Sequence, residues 1–199
     1  MKALRGIIQV VLFLVIVGLG YLIYNGVMKP IDFDKQREVR ENAVVQRLKE
    51  IRTAQVSYRS VYGRYTGSFD TLIHFVNEDS IPVEYAEGSL DDSLAVAMGL
   101  IVRDTFYVAV KDSLFASNYR ADSLRFVPFT TGVEFELASS SIMTASQVEV
   151  QVFEASALYF DILNGLDRQL IINLNDLKEF PGLRVGNINE ANNNAGNWE

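Results

Sequence analysis

Cysteine is absent from all 199 residues. That excludes a disulfide-stapled fold, a thiolate nucleophile and the lipidated thiol of a bacterial lipoprotein. Histidine occurs once, at His74, and a lone histidine without cysteine does not build a typical zinc site. There is no G-x-S-x-G, no Walker A and no G-x-G-x-x-G, hence no nucleophile elbow and no phosphate-cradling loop. His74 lies between Ile73 and Phe75 and reads as a buried or half-buried structural residue. Asp91 with Asp92, and Glu78 with Asp79, read as cap and loop carboxylates rather than acid/base pairs. The asparagines between Asn187 and Asn197 fit no calcium-loop spacing and read as a flexible tail. The chain reads as a non-enzyme without cofactor or metal.

Charge is missing from Ile7 to Met28, where only Gln9 and Asn25 are clearly polar. A helix rises about 1.5 Å per residue and a bilayer core is about 30 Å thick, so about 20 such residues suffice to cross it. Tyr21 and Tyr24 sit near the far end of the run, where aromatic rings suit the interface. Gly18-Leu19-Gly20 offers a small-x-small site for a cleaved signal peptide. Yet the apolar run continues through Tyr24 and no Ala-x-Ala follows, so an uncleaved anchor is the expectation. Lys2 and Arg5 flank it on one side, while Lys29 is followed by Asp32 and Asp34 on the other. That asymmetry predicts an inner-membrane, single-pass protein with its N-terminus in the cytoplasm and its C-terminal domain in the periplasm.

Pro30 follows the run and predicts a kink or break. A second helix is expected from about Asp34 to Tyr62, where Val44, Leu48, Ile51, Gln55, Tyr58 and Tyr62 recur at alternating four and three spacing. The stripe suits either packing on the chain's own domain or pairing with a partner helix. Gly63 is placed to stop the helix. Ser68 is placed to cap a short helix through about Phe75, and Asp91-Asp92-Ser93 precedes another brief helical stretch ending at Gly99. Beyond it, residues 100–102, 105–111, 123–129, 133–138 and 147–155 have the composition of antiparallel strands, with clear period-two patterning at 133–138 and 147–155, and 170–174 is a further β-like run. Residues 186–199 read as irregular. The predicted fold class is α+β: a transmembrane anchor over 1–29, an amphipathic stem helix over 30–66, and a mostly antiparallel β-sheet head over 67–199.

Charge is also unevenly spread. Residues 35–64 hold eight Lys or Arg against three acids, a net of +5, and residues 65–199 hold seven against twenty, a net of −13. The basic stem suits anionic lipid headgroups, an acidic partner face, or acids of its own domain. The acidic head carries no basic patch for nucleic acid.

One segment resembles a known family. Ala54, Gln55 and Tyr58, then Gly63 and Tyr65, then Ser68, Phe69 and Leu72 are similar to the Ala-Gln-x-x-Tyr, Gly-x-Tyr, Ser-Leu-x-x-Leu pattern that ends the long helix of type IV pilins and type II secretion pseudopilins. Lys2, Arg5 and Gly6 resemble a short prepilin leader, and Pro30 sits where pilins kink their anchor helix. Among the positions that differ from the family pattern, Val11 replaces a glutamate, Ile7 a phenylalanine, and Thr66 the proline after the tyrosine. Segments 103–105, 111–115 and 181–183 resemble uncharacterised membrane-anchored proteins of the Bacteroidota, which implies no function.

The resemblance implies a pilin-like structural or assembly component of an envelope secretion or pilus machine. Its partners would be the bilayer through residues 7–28 and other envelope proteins or further copies of itself. The alternative is a static bitopic inner-membrane scaffold that pairs through the stripe Val44, Leu48, Ile51, Tyr58 and Tyr62 without forming a filament. An anchored hydrolase is a third reading, which the absence of any catalytic pattern disfavours.

Overall fold

A computed structural model describes residues 2–87, 102–116, 118–144 and 146–199. It is α+β. The helix anticipated near 91–98, the strand at 100–101 and the Asp91–Asp92 pair lie outside the described residues.

Helix α1 runs from Lys2 to Tyr62 without interruption, 61 residues with Pro30 inside. At about 1.5 Å per residue it is a rod of about 90 Å. Of the kink or break expected at Pro30, a break does not occur. Proline removes one hydrogen bond and sets its ring against the carbonyl four residues back, here that of Gly26, at about 3 kcal/mol. Long helical runs on both sides and the packing of the second half outweigh that single defect. The helix is long and apolar enough to cross a membrane, and none of its apolar window is buried in the protein. Side chains such as Leu12, Phe13, Ile16 and Leu22 are all exposed.

From Phe33 onward the same helix becomes core. Phe33, Val44, Leu48, Ile51, Ala54, Gln55 and Tyr58 are buried. They face an antiparallel sheet of order β3-β4-β5, formed by Glu136–Met143, Glu149–Leu158 and Gly182–Gly186. The central strand supplies Phe153, Ala155 and Ala157 to the core. Also packed on α1 are helix α2 (Phe69–Glu78), the 3₁₀ turn at Ala121–Arg125 and the short helix α4 (Tyr159–Ile162). Helix α2 contributes Phe69, Leu72, Phe75 and Val76, one face at helical spacing.

A separate two-stranded ribbon joins β1 (Ser80–Glu87) to β2 (Val102–Ala109), in register from Ser80 opposite Ala109 to Glu87 opposite Val102. Strand β1 is not among the strands expected from the sequence, and it contains Pro82. A ribbon without further neighbours leaves the proline's missing donor harmless. Strand β2 ends in the short helix α3 (Val110–Leu114), so the run expected at 105–111 stops two residues early.

Three further expectations change. Residues 123–129 are no strand: a 3₁₀ turn fills their first part, and pairing shrinks to one bridge between Phe126 and Glu134. The strand expected at 133–138 begins at Glu136 and continues through Ser139, Ser140 and Ser141, whose pairing with β4 overrides the weak strand preference of serine. Residues 170–174 are helical, inside α5 (Arg168–Asp176). There Asp167 caps the helix, its Oδ1 accepting from the amides of Gln169 at 2.9 Å and Leu170 at 3.4 Å.

Residues 187–199 form no helix or strand, as expected, yet they are docked. The Asn197 amide donates to the Arg184 carbonyl at 3.1 Å, Asn197 Oδ1 accepts from the Arg184 amide at 3.0 Å, and Asn197 Nδ2 donates to Gly182 at 2.9 Å. The side chain and backbone of one asparagine thus stand in for an extra strand along β5, and Trp198 packs on the core beside them.

Candidate functional site

The pilin-like motif forms one device at the end of α1. Gly63 has a φ of +73° and donates its amide to the Arg59 carbonyl at 2.8 Å, the left-handed stop that closes a helix. The chain then doubles back. Tyr65 is buried, its ring 4.8 Å from that of Phe153 on the central strand. Gln55, fully buried on α1, donates Nε2 to the Thr66 carbonyl at 2.6 Å and accepts the Thr66 amide on Oε1 at 3.1 Å. A proline at this position, as the pilin pattern has, would have no N–H to give. Thr66 is therefore the residue that lets Gln55 hold the returning chain from both sides. Ala54 is buried beside it, and Leu72 is buried on α2.

Ser68 occupies the position before α2, but its hydroxyl makes no cap bond; its amide donates to Thr66 Oγ1 at 3.2 Å. Tyr58 stands edge-on to Phe75, with ring centroids 5.2 Å apart. Tyr62, half exposed, donates its hydroxyl to Asp79 at 2.6 Å, and that hydrogen bond to the carboxylate is the chief cause that raises the Tyr62 pKa.

The stripe has a plain outcome. Val44, Leu48, Ile51 and Tyr58 are buried against the chain's own head, and only Tyr62 is exposed. A partner helix pairing through these positions would have to displace the core. Of the two occupants the spacing allowed, the packing chooses the domain itself. His74 is exposed on α2, not buried as expected, because Leu72, Phe75 and Val76 take the inward face. Asp79 is used by Tyr62, and Glu78 is exposed at the end of α2. Among the described residues, no three His, Cys, Asp or Glu gather as a metal site would require.

Around the motif lie open clefts. The largest, about 680 Å³, is lined by Arg52, Arg59, Ser60 and Tyr65 with Asn193 and Asn194 of the docked tail. A second, about 230 Å³, shares Arg59, Tyr65, Asn193 and Asn194 and opens toward Val150 and Val152. The wall between them is hydrogen-bonded: Asn194 Nδ2 donates to the Tyr65 hydroxyl at 2.9 Å, and Arg59 Nη1 donates to it at 3.2 Å. Asn193 and Asn194 both have positive φ, 54° and 58°, a conformation asparagine tolerates better than most residues. On the far side of the turn, Arg64 enters a cleft of about 410 Å³ with Thr66, Ser139, Ser141 and Gln151.

The electrostatics differ along α1. At its head-proximal start, burial raises the Glu41 pKa, opposed by the neighbouring Arg37 cation and by a hydrogen bond from Tyr159. Burial pushes Tyr159 up to about 12, with Glu41 adding to it. In mid-helix, Tyr119 donates to Glu50 Oε2 at 2.7 Å, and its pKa is raised by burial and by that carboxylate. Near the end, Glu199 is lowered chiefly by its hydrogen bond from Arg52.

The arginines and tail asparagines were not singled out from the sequence as a set. The available signal was the basic stem beneath an acidic head, joined to an Asn-rich segment whose place in the fold nothing local indicates. No protein-family model, no curated protein and no solved structure matches the chain.

Proposed function

We propose that this chain is a membrane-anchored, pilin-like structural or assembly component of an envelope secretion or pilus machine. Residues 7–28 cross the cytoplasmic membrane, Lys2 and Arg5 stay on the cytoplasmic side, and the head projects into the periplasm. It acts by binding other envelope proteins or further copies of itself rather than by catalysis.

The observation that carries this reading is the unbroken passage of α1 from an apolar, fully exposed half into a half that is the spine of the head. A helix apolar all round belongs in lipid. In water each such large side chain forgoes about 1.5–3 kcal/mol of burial. A flexible linker would serve a simple tether, whereas one rod through both parts holds the head at a fixed height and angle. The Gln55, Gly63 and Tyr65 device, in the positions of the pilin-like motif, supports the same reading.

The test is membrane extraction of the full chain with alkaline carbonate, followed by N-terminal mass spectrometry. Retention in the membrane pellet, with a mature chain starting at Ile7, supports a processed pilin-like subunit. Release into the supernatant sinks the anchor. Retention with an intact Met1 and a complex of fixed size rejects the filament subunit and leaves a static scaffold that associates through surfaces other than the buried stripe.

A further inference from the structure

Arg52 and Arg59 stand seven residues apart on α1, two turns and about 10 Å along the same face, and both line the largest cleft. Their partners differ. Arg52 Nη1 holds the Glu199 carboxylate at 2.7 Å and the Asn194 carbonyl at 3.2 Å. Arg59 meets only the Tyr65 hydroxyl, with its guanidinium 5.3 Å from the centre of the Tyr65 ring. Among the described residues no carboxylate approaches Arg59. The cleft therefore has two equivalent cationic positions, one answered by an acid of the same chain and one open.

The open position is prepared for an anion. Tyr65 is held by Phe153 and by Asn194, so the surface that orients the guanidinium is rigid. A planar, fixed guanidinium loses little freedom on meeting a carboxylate. The Ser60 hydroxyl and the Asn193 amide lie on the same cleft and supply further polar groups. We infer that Arg59 receives a carboxylate side chain from the acidic head of a second copy of this chain. Charge selects that occupant: the helix segment carrying Arg59 is net +5 and the head is net −13. The head keeps exposed acids, among them Asp122, Glu149 and Glu179, that make no ion pair among the described residues. The inference rests on the assembly reading, which supplies the second copy.

The experiment uses the full-length Arg59→Lys chain in detergent micelles, prepared in equal parts with natural and heavy nitrogen and treated with a zero-length carbodiimide. The substitution keeps the charge and presents an amine that a contacting carboxylate captures. The expected product is a mixed-isotope peptide pair joining position 59 to a head Asp or Glu. In parallel, Arg59→Gln should weaken self-association by about fivefold, the scale of one partly exposed ion pair, without lowering the melting temperature, and added salt should weaken the native chain similarly. Mixed-isotope pairs elsewhere but none at position 59, with Arg59→Gln associating like the native chain, would refute the cleft and leave the assembly reading standing. A link at position 59 confined to one chain refutes the second copy as occupant. Absence of any mixed-isotope pair refutes the cleft and the self-association together.

Discussion

Gln55 and Thr66 exchange two hydrogen bonds, the side-chain amide of one closing on both backbone groups of the other at 2.6 and 3.1 Å. The pair is buried, and it ties the last turns of a 61-residue helix to the strand-facing Tyr65 loop.

Truncation of Gln55 should therefore be severe for a single polar residue. Gln55→Ala strands the Thr66 N–H and C=O, and each buried orphan costs about 1–3 kcal/mol. Chemical denaturation of the full chain in micelles should show a loss of about 2–4 kcal/mol. Thr66→Pro, which restores the residue of the pilin pattern but removes the donor, should lose about 1–3 kcal/mol. A loss below about 0.5 kcal/mol for both, the scale of an ordinary surface substitution, would mean that the clamp is ornamental.

Gly63 allows a cleaner test, because an added Cβ there meets nothing within 4 Å. Only the left-handed backbone is at issue. Gly63→Ala should cost about 1–2 kcal/mol, and Gly63→Asn less, since asparagine visits that region more readily. Equal losses for both would point to some contact other than the backbone.

Glu41 should make stability fall with rising pH. Its folded pKa is raised, chiefly by burial, so the folded state prefers the protonated acid. That contribution is complete below the ordinary carboxylate range and is lost as pH rises through the folded value. Glu41→Gln, which keeps an acceptor for Tyr159, should then melt at or above the native chain at pH 7 and coincide with it below pH 4. A Glu41→Gln chain markedly less stable at pH 7 would show that the Arg37 ion pair dominates.

Glu199 runs in the opposite sense. Its folded pKa is lowered by Arg52, so its contribution is present above the ordinary carboxylate range and lost as pH falls through the folded value. Protection of residues 193–199 against hydrogen exchange, taken relative to the intrinsic rate at each pH, should fall on acidification in the native chain but not in Glu199→Gln, where it is low throughout. Asn197→Ala, which removes two bonds to β5, should quicken the same amides at every pH. Protection unchanged in all three would mean that Trp198 alone docks the tail.

The sequence announces the parts of this fold that depend on local chemistry. The uncharged run, the spacing of Val44, Leu48, Ile51 and Tyr58, the stop at Gly63 and the alternation around Val148–Val152 each carry their own signal, and the helices and strands follow them. Errors cluster where tertiary context overrules local preference. Pro30 is outvoted by the helix on either side of it. Leu170–Leu174 looks like a strand until Asp167 is recognised as a cap that leaves Ile171 and Leu174 buried together. Ser139–Ser141 become strand only because β4 lies alongside. The candidate site was half legible. Ala54, Gln55, Gly63 and Tyr65 stood out as a motif, but Asn193 and Asn194 lie more than a hundred residues away, and nothing local brings them to Arg59.

An unbroken α1 also has a geometric corollary. Each residue of an α-helix advances about 1.5 Å and turns about 100°. The face of the apolar half that meets any neighbour is thus locked in phase with the face of the head that the same neighbour meets. One residue inserted between Met28 and Phe33 would swing the whole head through more than a quarter circle. A full turn's worth would lift it by about 5.4 Å and restore its azimuth. The rod works as a key whose bit is cut at one end and whose bow is gripped at the other.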